Sequence, residues 1–563
     1  MVRYLEYNKW LTSLYLDKET KQELLSIKED EEEIKDRFYK NLEFGTGGLR
    51  GIIGAGTNRI NEYTVRRATF GLANYIINTY GEEGKSKGVV IAYDSRYKSK
   101  EFCEETAKTL AAYGIKVYIF DSLRPTPELS FAVRYLNCIA GIVITASHNP
   151  PEYNGYKVYW SDGGQICLDK ANEIIDEINK IDDYSIIKTV DIDNELITIL
   201  DNEVDDEFIK AVKKQVINQE IINKVGKDIK IIFTPIHGSG NIPIRRVLNE
   251  VGFENVKVVK EQELPDPNFS TVKYPNPEEK EVFNIAIEMA KNDGADVIIG
   301  TDPDCDRVGV VVRDNNGEYI VLNGNQVGSL LVDYVISNNL DKIKIMKDPT
   351  IIKTIVTSEL GSIIAKSYGV DSVDTLTGFK FIGEKINEYE VSNEKTFIMG
   401  YEESYGYLIG THARDKDGVV SALLISEMAA YYYSKGMTLY DGLMKIYDKY
   451  GYYMEELKSI TLKGSDGMKK IDTIMDYFRY YNLPSISDIN IVNIIDYKKG
   501  MNDLPKSNVL KFILEDESWI AIRPSGTEPK IKFYFGVKSD SLEKSNIKLK
   551  NIISCITNIV DSI

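Results

Sequence analysis

Cysteine is scarce in this 563-residue chain, which has five: Cys103, Cys138, Cys167, Cys305 and Cys555. They are scattered, and no two form a Cys-x-x-Cys pair. That spacing offers neither a disulfide framework nor a thiolate zinc site, and it suits a reducing compartment. Long apolar runs are missing too: no stretch approaches the roughly 20 residues needed to cross a bilayer. The opening residues Met1-Val2-Arg3-Tyr4-Leu5-Glu6-Tyr7 lack the apolar core of a signal peptide, so a cytoplasmic location is expected. Positive charge is in deficit, with 69 Lys and Arg against 86 Asp and Glu and a formal net charge of −17. Such a balance argues against nucleic-acid or anionic-membrane partners. Any site for a phosphorylated ligand must therefore be locally basic.

What the chain does contain is four polar loops, each following an apolar run. The first is Thr145-Ala146-Ser147-His148-Asn149-Pro150-Pro151, after the β-branched segment Cys138–Ile144. Its two prolines stop the chain from continuing as strand or entering a helix directly. Ser147 is thereby left on a stiff loop at the carboxyl end of a strand, where open α/β sheets place ligands. His148 beside it could move a proton, and Lys157 follows shortly. An isolated Ser-His-Asn-Pro would read as an ordinary turn; the other loops change that reading.

The second loop is Thr301-Asp302-Pro303-Asp304-Cys305-Asp306-Arg307, after Ala295–Gly300. Carboxylates at alternate positions of an extended loop can converge on one hard cation. Three oxygens leave open positions on an octahedral ion, which suits Mg²⁺ better than a Ca²⁺ cage. The bland alternative is a solvated acidic turn. The third loop, Gly400-Tyr401-Glu402-Glu403-Ser404-Tyr405-Gly406, offers carboxylate and hydroxyl groups to vicinal sugar hydroxyls. The fourth, Arg523-Pro524-Ser525-Gly526-Thr527-Glu528-Pro529-Lys530, joins two strand-like runs. It combines a guanidinium, two hydroxyls and a glycine-permitted turn, the parts of a phosphate cradle. A plain β-hairpin would need the Pro and Gly but not the rest.

Length predicts several domains. Apolar strands ending in polar loops alternate with amphipathic helices, the clearest over Pro277–Asn292 with Gly294 beyond its end. A charged helix near Lys21–Tyr39 reads as a solvated outer face. No fixed-period repeat is visible. The acidic stretch from Asp191 to Glu207, the hairpin turn Asp314-Asn315-Asn316-Gly317 and the change to a strand-rich pattern near Tyr447–Tyr453 mark expected boundaries. These divide the chain into 1–205, 206–320, 321–450 and 451–563.

The four loops, in this order, resemble those of the α-D-phosphohexomutase superfamily, and the likeness runs from Phe44-Gly45-Thr46-Gly47-Gly48-Leu49-Arg50-Gly51 to Lys530. Tyr93-Asp94-Ser95-Arg96, Thr234–Gly240, Thr375–Lys380 and Arg414-Asp415-Lys416-Asp417-Gly418 are similar to the phosphoglucomutase branch, which includes phosphopentomutase-like enzymes. The resemblance implies an α/β fold of three mixed-sheet α/β domains plus a smaller C-terminal α+β domain around a central cleft. It also implies a phosphoserine at Ser147, Mg²⁺ on Ser147, Asp302, Asp304 and Asp306, a hexose phosphate substrate and a glucose 1,6-bisphosphate intermediate and activator. By the same resemblance Arg523, Ser525, Gly526, Thr527 and Lys530 hold the non-reacting phosphate, and Glu402 and Ser404 grip the sugar. Lys157 or His148 carries the proton, and Arg50 and Arg307 complete the cationic lining. One departure stands out. Many bacterial relatives carry a histidine shortly after the sugar-loop serine, whereas Tyr405-Gly406-Tyr407 stands here, which makes Lys416 a candidate substitute. His237 and His412 read as structural. The preference among glucose, mannose and pentose phosphates and the oligomeric state stay open. So do two rivals, a phosphatase and a catalytically silent binding relative, although the first has no use for a separate phosphate loop.

Overall fold

The computed structural model describes residues 2–45, 47–462, 464–481, 483–501, 504–525 and 530–563. Its strands fall into four sheets. The first contains β1 (Gly48–Ile52), β2 (Val89–Tyr93), β3 (Val117–Phe120), β4 (Ala140–Ile144), β5 (Tyr153–Trp160) and β6 (Ile197–Leu200), in the order β1-β5-β4-β2-β3-β6. The second contains β7 (Ile231–Thr234), β8 (Val256–Val258), β9 (Val297–Thr301), β10 (Val308–Arg313) and β11 (Tyr319–Leu322), ordered β11-β10-β9-β7-β8. The third is β13-β12-β14-β15, from β12 (Pro349–Thr354), β13 (Asp371–Thr375), β14 (Thr396–Glu402) and β15 (Gly406–Ile409). The fourth contains β16 (Tyr452–Thr461), β17 (Ser485–Ile486), β18 (Ile489–Asp496), β19 (Leu510–Leu514), β20 (Trp519–Pro524) and β21 (Lys530–Ser539). Every pairing in this last sheet is antiparallel, in the order β16-β21-β20-β19-β18-β17. The fold is thus three mixed α/β units and a C-terminal antiparallel-sheet unit.

The first three sheets share one device. In each, a buried parallel strand is paired on its other side with the strand that follows it, running antiparallel. β4 is parallel to β2 and antiparallel to β5. β9 stands in the same relation to β7 and β10, and β14 to β12 and β15. The loops joining β4 to β5, β9 to β10 and β14 to β15 are the first three polar loops of the sequence. Each reverses the chain at the same edge of its sheet and carries one non-glycine residue in the left-handed region: Ser147 (φ 53°), Cys305 (φ 54°) and Tyr405 (φ 63°). Such conformations cost of order 1–3 kcal/mol and persist where surrounding contacts over-determine them.

The strands are hydrophobic on both faces because helices cover both. Every residue of β4 is buried; Ile142 and Ile144 join one core cluster and Val143 the opposite one. The second and third sheets share a core built around the helix Gly418–Tyr433, of which Leu423, Leu424 and Ile425 are fully buried. Burying such side chains contributes roughly 2 kcal/mol apiece, so these two units cannot part without exposing that helix. Among the described residues no helix is long and apolar enough to cross a membrane.

Two helix expectations need correction. The charged segment near Lys21–Tyr39 is two helices, Lys18–Ser26 and Glu31–Phe38, divided where the Asp30 side chain caps the second by accepting from Glu33 N–H. Nor is it only a solvated face: Leu24, Ile34 and Phe38 are buried with Trp10 and Tyr63 in a small core of their own. The amphipathic segment over Pro277–Asn292 is α-helical only from Asn284 to Asp293, preceded by a 3₁₀ turn over Lys280–Phe283. Gly294 does end it, in the left-handed conformation.

Gly155 marks how closely β5 approaches the serine loop. A Cβ there would lie 2.4 Å from the Thr145 carbonyl oxygen and 2.9 Å from that of Leu49. Because both obstacles are backbone, Gly155→Ala is expected to destabilise the protein by roughly 1–3 kcal/mol and lower its melting temperature. An unchanged melting curve would contradict this packing.

Candidate active site

Ser147 is held by a chain of hydrogen bonds that begins with a buried ion pair. Arg96 Nε lies 3.3 Å from Asp94 Oδ2, and both side chains are inaccessible. Asp94 Oδ2 accepts from Thr145 Oγ1 at 2.6 Å, and Thr145 Oγ1 in turn accepts from Ser147 N–H at 2.7 Å. The Arg96 guanidinium donates to four carbonyls of the loop: Ser147 and Asn149 through Nη2, Pro150 at 2.8 Å and Tyr153 at 3.1 Å through Nη1. One planar fork thus fixes a loop with no regular structure. The Ser147 hydroxyl is left facing the aspartate loop of the second sheet. Its Oγ donates to Asp302 Oδ2 at 2.9 Å and lies 3.3 Å from His148 Nδ1.

Asp302, Asp304 and Asp306 converge, each buried and each with one ligand oxygen within 4.8 Å of the others. Asp302 Oδ1 accepts from the backbone N–H of Asp306 and Arg307, both at 3.1 Å, which curls the loop around its own first carboxylate. Asp304 Oδ2 accepts from Lys157 Nζ at 2.8 Å and Thr126 Oγ1 at 2.9 Å. Asp306 Oδ2 lies 3.1 Å from Lys416 Nζ and 3.5 Å from Lys157 Nζ. Asp304 Oδ1 and Asp306 Oδ1 are buried with no hydrogen-bond partner among the described residues. Two anionic oxygens in that state call for a cation, and an all-oxygen donor set suits a hard one. The residues present therefore fit a bound metal ion.

Electrostatics follows from the crowding. Burial, with Asp304 and Asp306 alongside, pushes the Asp302 carboxyl well up. Burial would raise Asp304 also, but the Lys157 ammonium and the Thr126 hydroxyl bring it below the usual carboxylate range. Burial opposes the charge on Lys157 and Lys416, yet the surrounding carboxylates raise both. His148 moves the other way, lowered by burial and by the nearby Arg307, Arg50, Arg96 and Lys157. Glu402 is pushed up to about 7, chiefly by burial, while Lys416 and the Gly378 N–H, which it accepts at 2.8 Å, act against the rise.

The structure brings together Ser147, His148, Lys157, the three aspartates, Lys416 and Glu402. Ser404 is half-buried on the loop between β14 and β15. Arg50 sits at the rim of the first sheet, donating to Asn149 Oδ1 at 3.3 Å. Arg307 lies beside the aspartates, its Nε 3.9 Å from Asp306 Oδ1, and is also ion-paired with Glu278, which lies just before the 3₁₀ turn at Lys280–Phe283. On the fourth unit, Ser525 N–H donates to the Lys530 carbonyl at 2.7 Å, and Arg523 pairs in register with Lys532. Gly526 and Thr527 lie outside the described residues. His237 and His412 serve structure: His237 contacts the Leu264 carbonyl and Thr271 Oγ1, each at 2.9 Å, and His412 Nε2 lies 2.7 Å from Asp417 Oδ2.

Four residues escape the sequence reading. Thr126, flanked by prolines, fixes Asp304 by side chain and backbone. Asp415 accepts from Tyr159 OH at 2.7 Å and from Lys416 Nζ at 3.0 Å. Arg96, visible only as part of a motif, carries the serine loop. Lys532 lies near both Arg523 and Arg307, and burial together with those charges depresses its ammonium. Only the alternation along β21 could have flagged it, by placing Lys532 opposite Arg523.

Comparison with known proteins places the chain. Residues 41–185, 206–317 and 323–450 match the alpha/beta/alpha domains I, II and III of phosphoglucomutase/phosphomannomutase, and 490–547 match the C-terminal domain. The chain belongs to this family of isomerase-class phosphotransferases. It is 39% identical over 532 residues to a phosphoglucomutase of Staphylococcus haemolyticus (strain JCSC1435), covering 92% of this chain and 94% of that one. It is 38% identical over 538 residues to one from Staphylococcus aureus (strain MRSA252), with the same coverage of 92% and 94%. Among solved structures, Paramecium pp63/parafusin in its open form shares the fold at a TM-score of 0.70 and 20% identity, over 93% of this chain and 95% of that one. A phosphoglucomutase/phosphomannomutase family protein from Burkholderia thailandensis aligns at 0.67 and 18%, over 92% and 97%.

Arg96→Lys keeps the charge but not the fork. It is expected to lower turnover roughly 10²-fold through misplacement of Ser147, with the circular dichroism spectrum unchanged. Turnover near that of the unaltered protein would mean that the loop holds itself.

Proposed function

We propose that the chain interconverts glucose 1-phosphate and glucose 6-phosphate through a phosphorylated Ser147 and a glucose 1,6-bisphosphate intermediate. The observation that carries this reading is the Ser147 hydroxyl at 2.9 Å from Asp302, in a buried centre built by loops of three different sheets. A sugar hydroxyl attacks the phosphoserine phosphorus; the bond to Ser147 Oγ breaks and the bond to sugar oxygen forms. The hydroxyl proton passes to His148, whose imidazole is the one free base of the three, while Lys157 or Lys416, kept as ammonium groups by the aspartates around them, can return a proton to the departing Ser147 oxygen. The bisphosphate turns end over end, and its other phosphoryl group returns to Ser147. Ser147, Asp302, Asp304 and Asp306 would hold Mg²⁺, which when bound neutralises charge developing on the transferring phosphoryl group.

The remaining roles belong to side chains around that centre. Glu402 and Ser404 hold sugar hydroxyls. Arg523, Ser525, Gly526, Thr527 and Lys530 take the non-reacting phosphate in either orientation, with Lys532 beside them and Arg50 at the rim. Lys157 and Lys416, engaged by aspartates, hold protons at the edge of the reacting centre. Arg307, paired with Glu278, completes the cationic lining with Arg50. A formal net charge of −17 leaves the chain acidic overall, so these local cations are what admit an anionic substrate. A cytoplasmic location goes with this reading.

Two tests bear on it. Intact-mass analysis should find phosphate on Ser147, and Ser147→Ala should lose nearly all flux while staying folded, at a stability cost of about 1–3 kcal/mol for the lost hydrogen bond to Asp302. An active Ser147→Ala protein would remove the serine from the mechanism. Exhaustive chelation should abolish activity and Mg²⁺ restore it, with Asp304→Asn impaired in both metal affinity and turnover. Full activity after chelation would leave the aspartates as a structural turn. A coupled assay across glucose 1-phosphate, mannose 1-phosphate and ribose 1-phosphate, with and without bisphosphate, is expected to rank glucose first.

A further inference from the structure

Away from the reacting centre, a second group of charges lies between the third and fourth sheets. Lys511 belongs to β19 and is only 4% exposed. Both polar partners of its ammonium lie in the third unit: the Ile355 carbonyl at 2.8 Å and Glu359 Oε1 at 3.0 Å. Glu359 opens the helix Glu359–Ser367, and its other oxygen, Oε2, lies 3.3 Å from Lys353 Nζ. Lys353, on β12, has no exposed side-chain surface and also pairs with Asp374 Oδ1 at 2.9 Å. One carboxylate thus divides its two oxygens between a lysine of the third sheet and a lysine of the fourth. Around it the joint is apolar, with Ile355, Val356 and Phe381 against Val509, Trp519 and Tyr534.

Two connections tie this joint to the candidate site. In the fourth sheet Lys511 is opposite Ala521, and Arg523 lies two residues further along β20. Side chains at alternate positions share a face, so Lys511, Ala521 and Arg523 project on the same side, and Trp519, over whose ring Lys511 Nζ sits at 4.7 Å, does so too. On the other side, Thr354 and Thr357 in the same connection donate to Glu403 Oε2 at 3.1 and 3.0 Å. Glu403 is the neighbour of Glu402 in the sugar loop. The segment from Lys353 to Glu359 therefore touches the sugar loop with its hydroxyls and the phosphate-loop sheet with its carboxylate.

We propose that Glu359 is a positioning residue: by bridging Lys353 and Lys511 it sets the tilt of the C-terminal sheet against the third sheet, and hence how Arg523 meets the distal phosphate of the substrate. This rests on the reading of the site as a sugar-phosphate mutase. The bridge is well placed for adjustment. Glu359 keeps 36% of its side chain exposed, so water can compete for it, whereas the lysines on either side are buried. A joint of that kind holds one orientation and can still be opened when the bisphosphate must turn.

The test compares Glu359→Gln, Glu359→Asp and Lys511→Met with the parent and with Arg523→Ala. Losing a hydrogen bond to a charged group weakens a grip by about tenfold, so Glu359→Gln should raise KM for glucose 1-phosphate by about that factor with kcat within about twofold, and release more bisphosphate. Glu359→Asp should recover part of the loss. In Glu359→Gln/Arg523→Ala the two effects on KM should not multiply, because both act on one contact. Amide hydrogen exchange over residues 519–524 should quicken in Glu359→Gln. If Glu359→Gln does not fold, Lys511→Met is read by the same measures. A folded variant with unchanged KM and unchanged exchange overturns the proposal, as does full multiplication in the double variant. Should the parent show no mutase flux, the functional reading fails separately, and unchanged exchange over 519–524 would still refute the bridge.

Discussion

Three aspartates cannot share one buried centre uncompensated. At 4.8 Å each pair of charged carboxylates repels by about 3–4 kcal/mol at an effective dielectric of 20, before any cost of leaving water. The compensating ammonium groups come from elsewhere: Lys157 from β5 of the first sheet and Lys416 from the segment after β15 of the third. Charge balance at the metal loop is therefore a condition on how three units are arranged. Ser147 enters the same balance, because its hydroxyl donates to Asp302, whose carboxyl burial and the two neighbouring aspartates push up. Among the described residues one oxygen of Asp304 and one of Asp306 accept no hydrogen bond, the second lying 3.9 Å from Arg307 Nε, and they mark where a metal cation fits.

Rigidity is distributed to serve that condition. The helix Gly418–Tyr433, buried along nearly its whole length, welds the second sheet to the third, so metal loop and sugar loop keep a fixed separation. Asp417 caps that helix through the N–H groups of Val419 and Val420 and anchors His412, directly after Lys416. A side chain that neutralises Asp306 is thus set at the start of the most buried helix of the molecule. The C-terminal sheet meets this body where Tyr453 of β16 enters the shared core, through a smaller apolar joint and through the Lys511 ammonium. A reaction in which an intermediate must be gripped, released and gripped again asks for that contrast.

The four loops are legible in the sequence because each places uncommon residue combinations just after an apolar run, and the strands that precede them are where the apolar runs lie. Their common topology is not legible. The turn from a parallel strand into an antiparallel partner recurs three times, but the helices between differ in length, so no period reaches the sequence. Side chains that act on backbone are equally hidden: Arg96 holds four carbonyls, and nothing in Tyr93-Asp94-Ser95-Arg96 says which. Arg307 is legible as a cation beside Asp306, but its second partner, Glu278, 29 residues earlier, is not. The helix over Lys21–Tyr39 fails for a local reason, since one Asp30 cap is enough to split a charged segment in two.

Everything in this mechanism turns on Ser147 passing its phosphoryl group to sugar and taking one back without losing either to water. Its most direct test is a pulse–chase of the label on Ser147. Protein carrying radiolabelled phosphate on Ser147 would be mixed with excess unlabelled glucose 1-phosphate and Mg²⁺, quenched within milliseconds to seconds, and the products separated. Label should leave the protein, pass through glucose 1,6-bisphosphate and collect in glucose 6-phosphate, with little inorganic phosphate at any time. Label recovered chiefly as inorganic phosphate, or still on the protein after many turnovers, would contradict the account.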